Sequence, residues 1–581
     1  MRILVLLLLA ACVPALGTDV LTHHNNPART GAVLDEAVLS PDTLKNQGFG
    51  RLFSLAVDGQ IYAQPLVVAG LEIPGKGQRT VVYIATMRNN VYAYDVDDTK
   101  GTLLWSKALG TPMPYDRIPK DAGAVLGQYN IRPYIGITST PVIDRSKGMM
   151  YVVAKIAEPL CPGTEEATPE CPVVYRIHAL DIVTGAIVHQ ADIDIPMDPQ
   201  ESGVPARDAA RRHLQRPALL LGNGRVYAAF GAHQDAPPFQ GWVMAFDADT
   251  LRRIDPVFCT TPHGQMGGIW QAGNGPASDK DGNVYLMTGN GSFDPAAKKF
   301  GSTLLKLSGD LAPTGWFAPA NINDLNFLDV DLGSAGPMLL PGTDQILGGG
   351  KEGKLYVMSQ SDPGGQQQRH CWHDRTNPPV QYFQASRPWR VTWLSWVPFL
   401  FNVGYHHIHG SPVYWDGPKG PMIYVWPEQD NIKAFRYDSA KQKFNKKPIK
   451  GMMGNMGMPG GFLSISANGA QDGILWAAIP YQDDAWVEIV RGSMRAFRAD
   501  TLELLWSTDV NDPSDIFDFG KNVPPTVANG KVYLATFSDR VNVYGLHAPQ
   551  RAASAKPLPK VSKDANHRGH VKGANGHTMH H

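Results

Sequence analysis

One phrase recurs along the chain and restricts the fold more than any other feature. An apolar strand led by Pro or Gly is followed by a turn and then by a second apolar strand with a central aromatic residue. The second strand reads VVYIAT (Val81–Thr86), MMYVVAK (Met149–Lys155), RVYAAF (Arg225–Phe230) and NVYLMTGN (Asn283–Asn290). It returns as KLYVMS (Lys354–Ser359), MIYVWP (Met422–Pro427), ILWAAIP (Ile474–Pro480) and KVYLATF (Lys531–Phe537). The leading strands begin near Pro65, Pro141, Pro217, Gly275, Gly336, Pro412, Phe462 and Pro524, which makes eight units spaced 50 to 76 residues apart. A four-stranded propeller blade takes about 40–50 residues, so each unit is one blade plus its loops. Period-two alternation and Gly/Asn/Asp turns dominate, and helical patterns are scarce. The expected fold is all-β, an eight-bladed β-propeller of four-stranded antiparallel blades. The last unit ends at Val541–Leu546 without an outer strand, and an orphan strand, Arg51–Val57, precedes the first. Pairing the two would close the ring and remove exposed sheet edges.

Composition agrees with a strand-and-turn protein and excludes some functions. Gly (59) and Pro (46) are abundant for 581 residues. Lys+Arg and Asp+Glu are both 53. A balanced charge argues against a broad cationic face for nucleic acid. Residues 1–17, with Arg2, a short apolar run and Ala15-Leu16-Gly17, read as a secretory leader. The run is too short for a transmembrane span, so a secreted or periplasmic location is expected. Leu9-Ala10-Ala11-Cys12 also resembles a lipobox, which would place a lipid on Cys12 instead. Four cysteines remain, an even number suited to an oxidising compartment. Cys161 and Cys171 bracket a polar loop and are expected to pair, leaving Cys259 with Cys371. No CxxC or CxxCH occurs, which argues against a zinc ribbon, a thioredoxin-like site and covalent haem.

The outer half of several units resembles the tryptophan-docking motif A-x-D-x-x-T-G-x-x-x-W. Ala179 to Gly185 matches it, with His189 in the Trp place. Ala496 to Trp506 keeps the interval with Arg498 for Asp, and Ala93-Tyr94-Asp95 leads to Trp105 with two extra residues. Ala245-Phe246-Asp247 with Thr250 keeps the first half. With phrases such as HHNNPARTG, DGQIYAQPL, GGIWQAGNGPASD and GGGKEGKLYVM, the region 18–546 is similar to exported PQQ-binding-like β-propeller repeat proteins of the quinoprotein alcohol dehydrogenase-like superfamily. The resemblance implies an oxidoreductase site at the mouth of the central channel and a pyrroloquinoline quinone cofactor with Ca2+. The chain departs from the alcohol dehydrogenases in having no vicinal cysteine pair.

Such a cofactor is a flat tricarboxylate. It needs an aromatic floor, cations and a hard metal, together with a carboxylate base. Polar residues at the exits of the inner strands supply the candidates. Arg88, Asn89, Lys155, Trp270, Lys351, Trp426 and Lys521 would face a cofactor or ligand, and Glu352 or Asp430 would act as base or metal ligand. Each could instead be a polar plug that satisfies buried backbone groups. His407 and His409, at i and i+2 on an extended segment, share one face; with Glu428 they form a candidate metal site suited to copper or zinc. His23-His24, the methionines of GMMGNMGM (Gly451–Met458) and a His-rich tail over 547–581, expected to be disordered, add to a copper-handling reading. A third reading is a non-enzymatic scaffold for a protein or polymer partner, docked through an aromatic insertion at about 360–409 that carries Trp372, Trp389, Trp393 and Trp396.

Overall fold

The computed structural model describes residues 17–119, 130–158, 171–197, 202–234, 237–367, 379–387, 406–454 and 456–547. The expected eight blades are all present. From the innermost strand outward, blade 1 is Leu66–Ile73, Gly77–Ala85, Asn90–Asp95 and Thr102–Ala108; blade 2 is Val142–Asp144, Met149–Ala157, Val173–Asp181 and Ile187–Ile193. Blade 3 is Leu220–Gly222, Arg225–Ala232, Trp242–Asp247 and Arg253–Cys259, and blade 4 is Ala277–Ser278, Val284–Met287, Leu304–Leu307 and Pro313–Ala318. Blade 5 is Met338–Leu340, Gln345–Gly349, Lys354–Ser359 and Gln381–Gln384. Blade 6 is Val413–Gly417, Gly420–Val425 and Asn431–Asp438, with Lys443–Phe444 and Ile449–Met453 along its outer edge. Blade 7 is Phe462–Asn468, Gln471–Pro480, Gly492–Arg498 and Leu504–Ser507. Blade 8 is Thr526–Ala528, Lys531–Ala535, Arg540–Leu546 and, as its outermost strand, Phe49–Ala56. The ring therefore closes as expected, in antiparallel register from Phe49 opposite Leu546 to Ala56 opposite Arg540.

Two expectations need correction. KLYVMS is the third strand of blade 5, not the second, because the short strand Gln345–Gly349 precedes it. The region 360–409 is not a simple insertion, since it supplies the outer strand Gln381–Gln384 and a segment, Gly365–Gln366, parallel to the edge of blade 4. The four insertion tryptophans, Cys161, Cys371 and the tail after His547 lie outside the described residues, and the expectations placed on them lie there too. Among the described residues, no helix is long and apolar enough to cross a membrane.

The repeated residues hold neighbouring blades together. Tyr83, Tyr151 and Tyr227, central in the second strands of blades 1 to 3, donate their hydroxyls to Ile182 O, Ala248 O and Gly309 O of the next blade, at 2.7–2.8 Å. Trp105 of blade 1 donates Nε1–H to Ile182 O at 3.2 Å and lies against Gly185 of blade 2, where an added Cβ would approach the indole to 2.5 Å. Asp181 fixes that turn by accepting from Val183 N, Thr184 N and Thr184 Oγ1. The apolar core is thus divided among the seams, for example Val68, Val81, Val152 and Leu180 between blades 1 and 2. Trp476, Trp506 and Tyr544 pack between blades 7 and 8.

Residues 18–36 fill the bore. Hydrogen bonds run from Val20 to Val67 in blade 1, from Ile143 of blade 2 to Leu21 O, and from Ser278 of blade 4 to Pro27 O. They continue from Leu339 of blade 5 to Ala28 O, from Tyr414 of blade 6 to Thr30 O, and from Ile465 of blade 7 to Gly31 O. Glu36 reaches Gly530 N of blade 8. HHNNPARTG is therefore a plug that walks around the inner strands. None of residues 18–36 lines the cavity at the mouth of the ring.

Candidate functional site

The mouth is a cavity of about 470 Å3 to which all eight blades or their connections contribute. Tyr62, Arg216, Ser334, His409, Met458 and Asn522 each lie on its wall, four residues ahead of the first residue of an innermost strand. At that position the chain crosses from the rim of one blade to the inner edge of the next, so the side chain is aimed at the axis. Trp270, Trp486, Asp329, Asp331, Lys351 and Lys521 complete the polar and aromatic lining. Phe239 supports Trp270 in a T-shaped contact at 6.2 Å.

The charges of the mouth differ in how they are held. Lys351 bridges Asp331 at 2.7 Å and Asp329 at 3.1 Å. Lys521 donates to Trp486 O at 2.8 Å and Asn130 O at 3.3 Å, with no carboxylate of the described residues in ion-pair range, and burial lowers its pKa to about 7. Among the described residues Arg216 has no hydrogen-bond or ion-pair partner; its Nε is a buried orphan, and desolvation lowers its pKa to about 10 against the opposing pull of Tyr62 and Asp331. Trp270 Nε1 is a second buried orphan. Unspent donors of this kind cost free energy unless a ligand uses them.

Three of the seven residues expected to face a cofactor do line the mouth: Trp270, Lys351 and Lys521. The other four do not. Arg88 is exposed and lies over the Tyr134 ring at 4.7 Å. Asn89 donates to Lys155 O at 2.7 Å, locking blade 1 to blade 2. Lys155 donates to Arg211 O and His213 O and sits 2.9 Å from His233 Nε2, fully buried between blades 2 and 3. Trp426 is buried and donates to Asp430 O at 3.1 Å. The two expected catalytic carboxylates are likewise structural here. Glu352 accepts from Asn321, Lys354 and Tyr356. Asp430 holds Lys433 at 2.6 Å and accepts from the Asn431 and Arg387 amides. Sequence reasoning missed Arg216, Tyr62 and Trp486; position four residues before a leading strand was the available signal for the first two, as it is for Asn522, which stood beside Lys521 among the candidates.

The expected soft-metal cluster is dispersed: Met453 is exposed, Met456 is buried between blades 6 and 7, and Met452 Sδ accepts from Arg495. His23 and His24 belong to the plug, stacked at 4.5 Å, and burial lowers both pKa values. His407, His409 and Glu428, by contrast, converge, their ligand atoms within 4.8 Å of one another. Desolvation lowers the pKa of His407 to about 4 and of His409 to about 3, and raises that of Glu428 to about 7.

No protein-family model matches the chain, and no curated protein matches it. Solved structures do. The quinohemoprotein alcohol dehydrogenase ADHIIG of Pseudomonas putida HK5 superposes with a TM-score of 0.53 at 16% identity, over 91% of this chain and 80% of that one. A europium-containing methanol dehydrogenase gives 0.52 at 12% identity, over 91% and 98%. The quinohemoprotein alcohol dehydrogenase of Comamonas testosteroni gives 0.52 at 14% identity, over 91% and 80%. The architecture on which this mouth is built is the eight-bladed propeller of the quinoprotein alcohol dehydrogenases.

Proposed function

We propose that the mouth binds a planar, multiply carboxylated small molecule of the quinone-cofactor class, and that the protein is an oxidoreductase of the pyrroloquinoline quinone type. The observation that carries this reading is Arg216, whose buried Nε has no hydrogen-bond partner among the described residues, on the wall of a cavity flanked by Trp270 and Trp486. A guanidinium matches a carboxylate in a two-pronged geometry, and indoles present flat apolar faces to an aromatic ring. Lys521 and Lys351 add charge, so three cations face two carboxylates, Asp329 and Asp331. The orphaned donors thus fit a polycarboxylate.

They do not fit calcium equally well. That ion takes six to eight oxygens, whereas Asp331 is already tied to Lys351 and to Asn290 N, and Glu352 and Asp430 lie elsewhere. A bound quinone would supply the two-electron acceptor. The chain's own residues would hold its carboxylates through Arg216 and Lys521 and orient its ring against the indoles. Asp329 and Asp331 are the carboxylates placed to take a proton from a substrate.

Titration of the full chain with pyrroloquinoline quinone, with and without Ca2+, tests the reading through tryptophan fluorescence and the cofactor's absorbance. Saturable binding is expected, weakened about 10–100-fold in Arg216→Gln, the loss of one charged hydrogen-bond partner at about 1.5–3 kcal/mol. A flat titration in the wild type overturns it. Dye reduction by the loaded protein with simple alcohols then separates catalysis from binding.

A further inference from the structure

We infer that His407, His409 and Glu428 form a binding site for a borderline divalent transition ion, of the zinc or copper class, in the wall of the axial mouth. The inference goes beyond the carboxylate-binding reading and does not depend on it.

All three residues belong to blade 6. The two histidines stand on the extended segment leading to Val413–Gly417, and Glu428 stands in the turn between Gly420–Val425 and Asn431–Asp438. The Glu428 amide donates to His407 O at 3.1 Å, which clamps the turn against that segment. The i, i+2 spacing puts both imidazoles on one side, with ring centroids 5.6 Å apart and planes at 72°. Glu428 Oε2 lies 3.5 Å from His407 Nδ1, and Oε1 lies 3.1 Å from His409 Nε2. The side chains are only 22%, 10% and 12% exposed for His407, His409 and Glu428.

The unspent atoms are the decisive feature. His407 Nδ1, His409 Nε2 and Glu428 Oε1 are all buried and all lack a hydrogen-bond partner. The 3.1 Å approach of Glu428 to His409 is close but has no hydrogen-bond geometry. A structural role would spend these atoms on one another or on backbone, as Lys155 and Asp430 do nearby. Three buried residues whose ligand atoms converge within 4.8 Å, each with a polar atom that has no hydrogen-bond partner among the described residues, are arranged for a shared cation.

The donor set selects the ion. Two imidazoles and one carboxylate suit zinc or copper and are a poor match for calcium or magnesium, which prefer all-oxygen shells. Lys351 and Arg216 are the nearby cations; Asp329 and Asp331 pair with Lys351, and Asp331 also acts on Arg216. Three protein ligands leave a tetrahedral ion one further position. Because His409 lines the cavity, a ligand in the mouth could occupy it.

The test uses the full chain after chelation and dialysis, titrated with Zn2+ in parallel with His407→Gln, His409→Gln and Glu428→Gln. The tail imidazoles His567, His570, His577, His580 and His581 are present in all four proteins, so they cancel in the comparison. Wild type should bind one more tight equivalent than each variant. Its thermal midpoint should rise with Zn2+, because the ion binds the folded chain, and this rise should vanish in the variants. Matching circular dichroism spectra without metal show that the glutamines leave the fold intact. If one variant misfolds, copper EPR of the wild type against the remaining variants gives an independent answer, since the wild type should carry a two-imidazole hyperfine component that they lack. Equal stoichiometry and equal thermal shifts in all four proteins, or displacement of Zn2+ by equimolar Ca2+, would overturn the inference.

Discussion

Two arginines lie on the axis of this ring, and they are held in opposite ways. Arg29, in the plug, is wholly buried and donates to Pro276 O, Thr22 Oγ1, His23 O and Leu219 O at 2.8–3.1 Å. Arg216, at the mouth, has a buried Nε with no hydrogen-bond partner among the described residues. Burial lowers the pKa of both, to about 9 and about 10, so the desolvation they suffer is similar. At Arg29 the backbone of two blades offsets that cost; at Arg216 the Nε donor is left unspent among the described residues. A propeller bore therefore holds the same residue type as a structural rivet at one end and with an open donor at the other.

The largest expected effect is at the rivet. Arg29→Met strands the Pro276, His23 and Leu219 carbonyls and should destabilise the ring by about 3–5 kcal/mol in urea unfolding. Arg216→Met, by the same assay, should be neutral or slightly stabilising, because it removes a half-buried charge whose Nε spends no hydrogen bond among the described residues. Equal losses from the two substitutions would erase the distinction. A lesion away from the axis sharpens it. Gly185 has φ +70° and faces Trp105, so Gly185→Ala should lower stability by about 1–3 kcal/mol through overpacking and backbone strain. It should leave binding of pyrroloquinoline quinone at the mouth unchanged; a parallel loss of binding would mean that the blade 1–2 seam shapes the mouth.

The sequence disclosed the ring far better than the mouth, for a physical reason. Blade strands repeat because every seam poses the same packing problem. Tyr83, Tyr151 and Tyr227 solve it identically, and repetition makes them visible. The mouth is built from single residues that repeat only in position, four ahead of each inner strand, and not in type: Tyr62, Arg216, Ser334, His409, Met458 and Asn522. Charge beside glycine was a misleading guide. Lys155, Glu352 and Asp430 stand out in sequence, yet each is consumed by neighbours that only the fold brings near, such as His233, Tyr356 and Lys433. His407 and His409 were legible because i, i+2 spacing fixes their shared side locally. Arg216 was not, because its lack of a partner is a property of eight blades at once.

The smallest effect, and the finest test of the contrast between the two ends, is in pH. Lys521 is held near pKa 7 first by burial; Arg216 and Arg132 lower it further, while Asp484 and Glu488 oppose them. Below about pH 7 the mouth presents Arg216, Lys351 and Lys521 as cations; above it Lys521 is neutral. Affinity for pyrroloquinoline quinone should therefore fall by up to about tenfold, 1.4 kcal/mol, between pH 6 and pH 9. Binding near pH 7 should take up protons, which calorimetry in buffers of different ionisation enthalpy reads directly. Stability without ligand should move the other way. A lysine whose folded pKa lies below its unfolded value, about 10.4, leaves the unfolded chain binding more protons between the two, so its penalty is full below pH 7 and is relieved as pH rises through that window. Lys521→Met should flatten both profiles in that range. Affinity that rises with pH, or a profile unchanged by Lys521→Met, would mean that the ammonium is spent on the Trp486 and Asn130 carbonyls alone, and that Arg216 is the only receptor among the three cations.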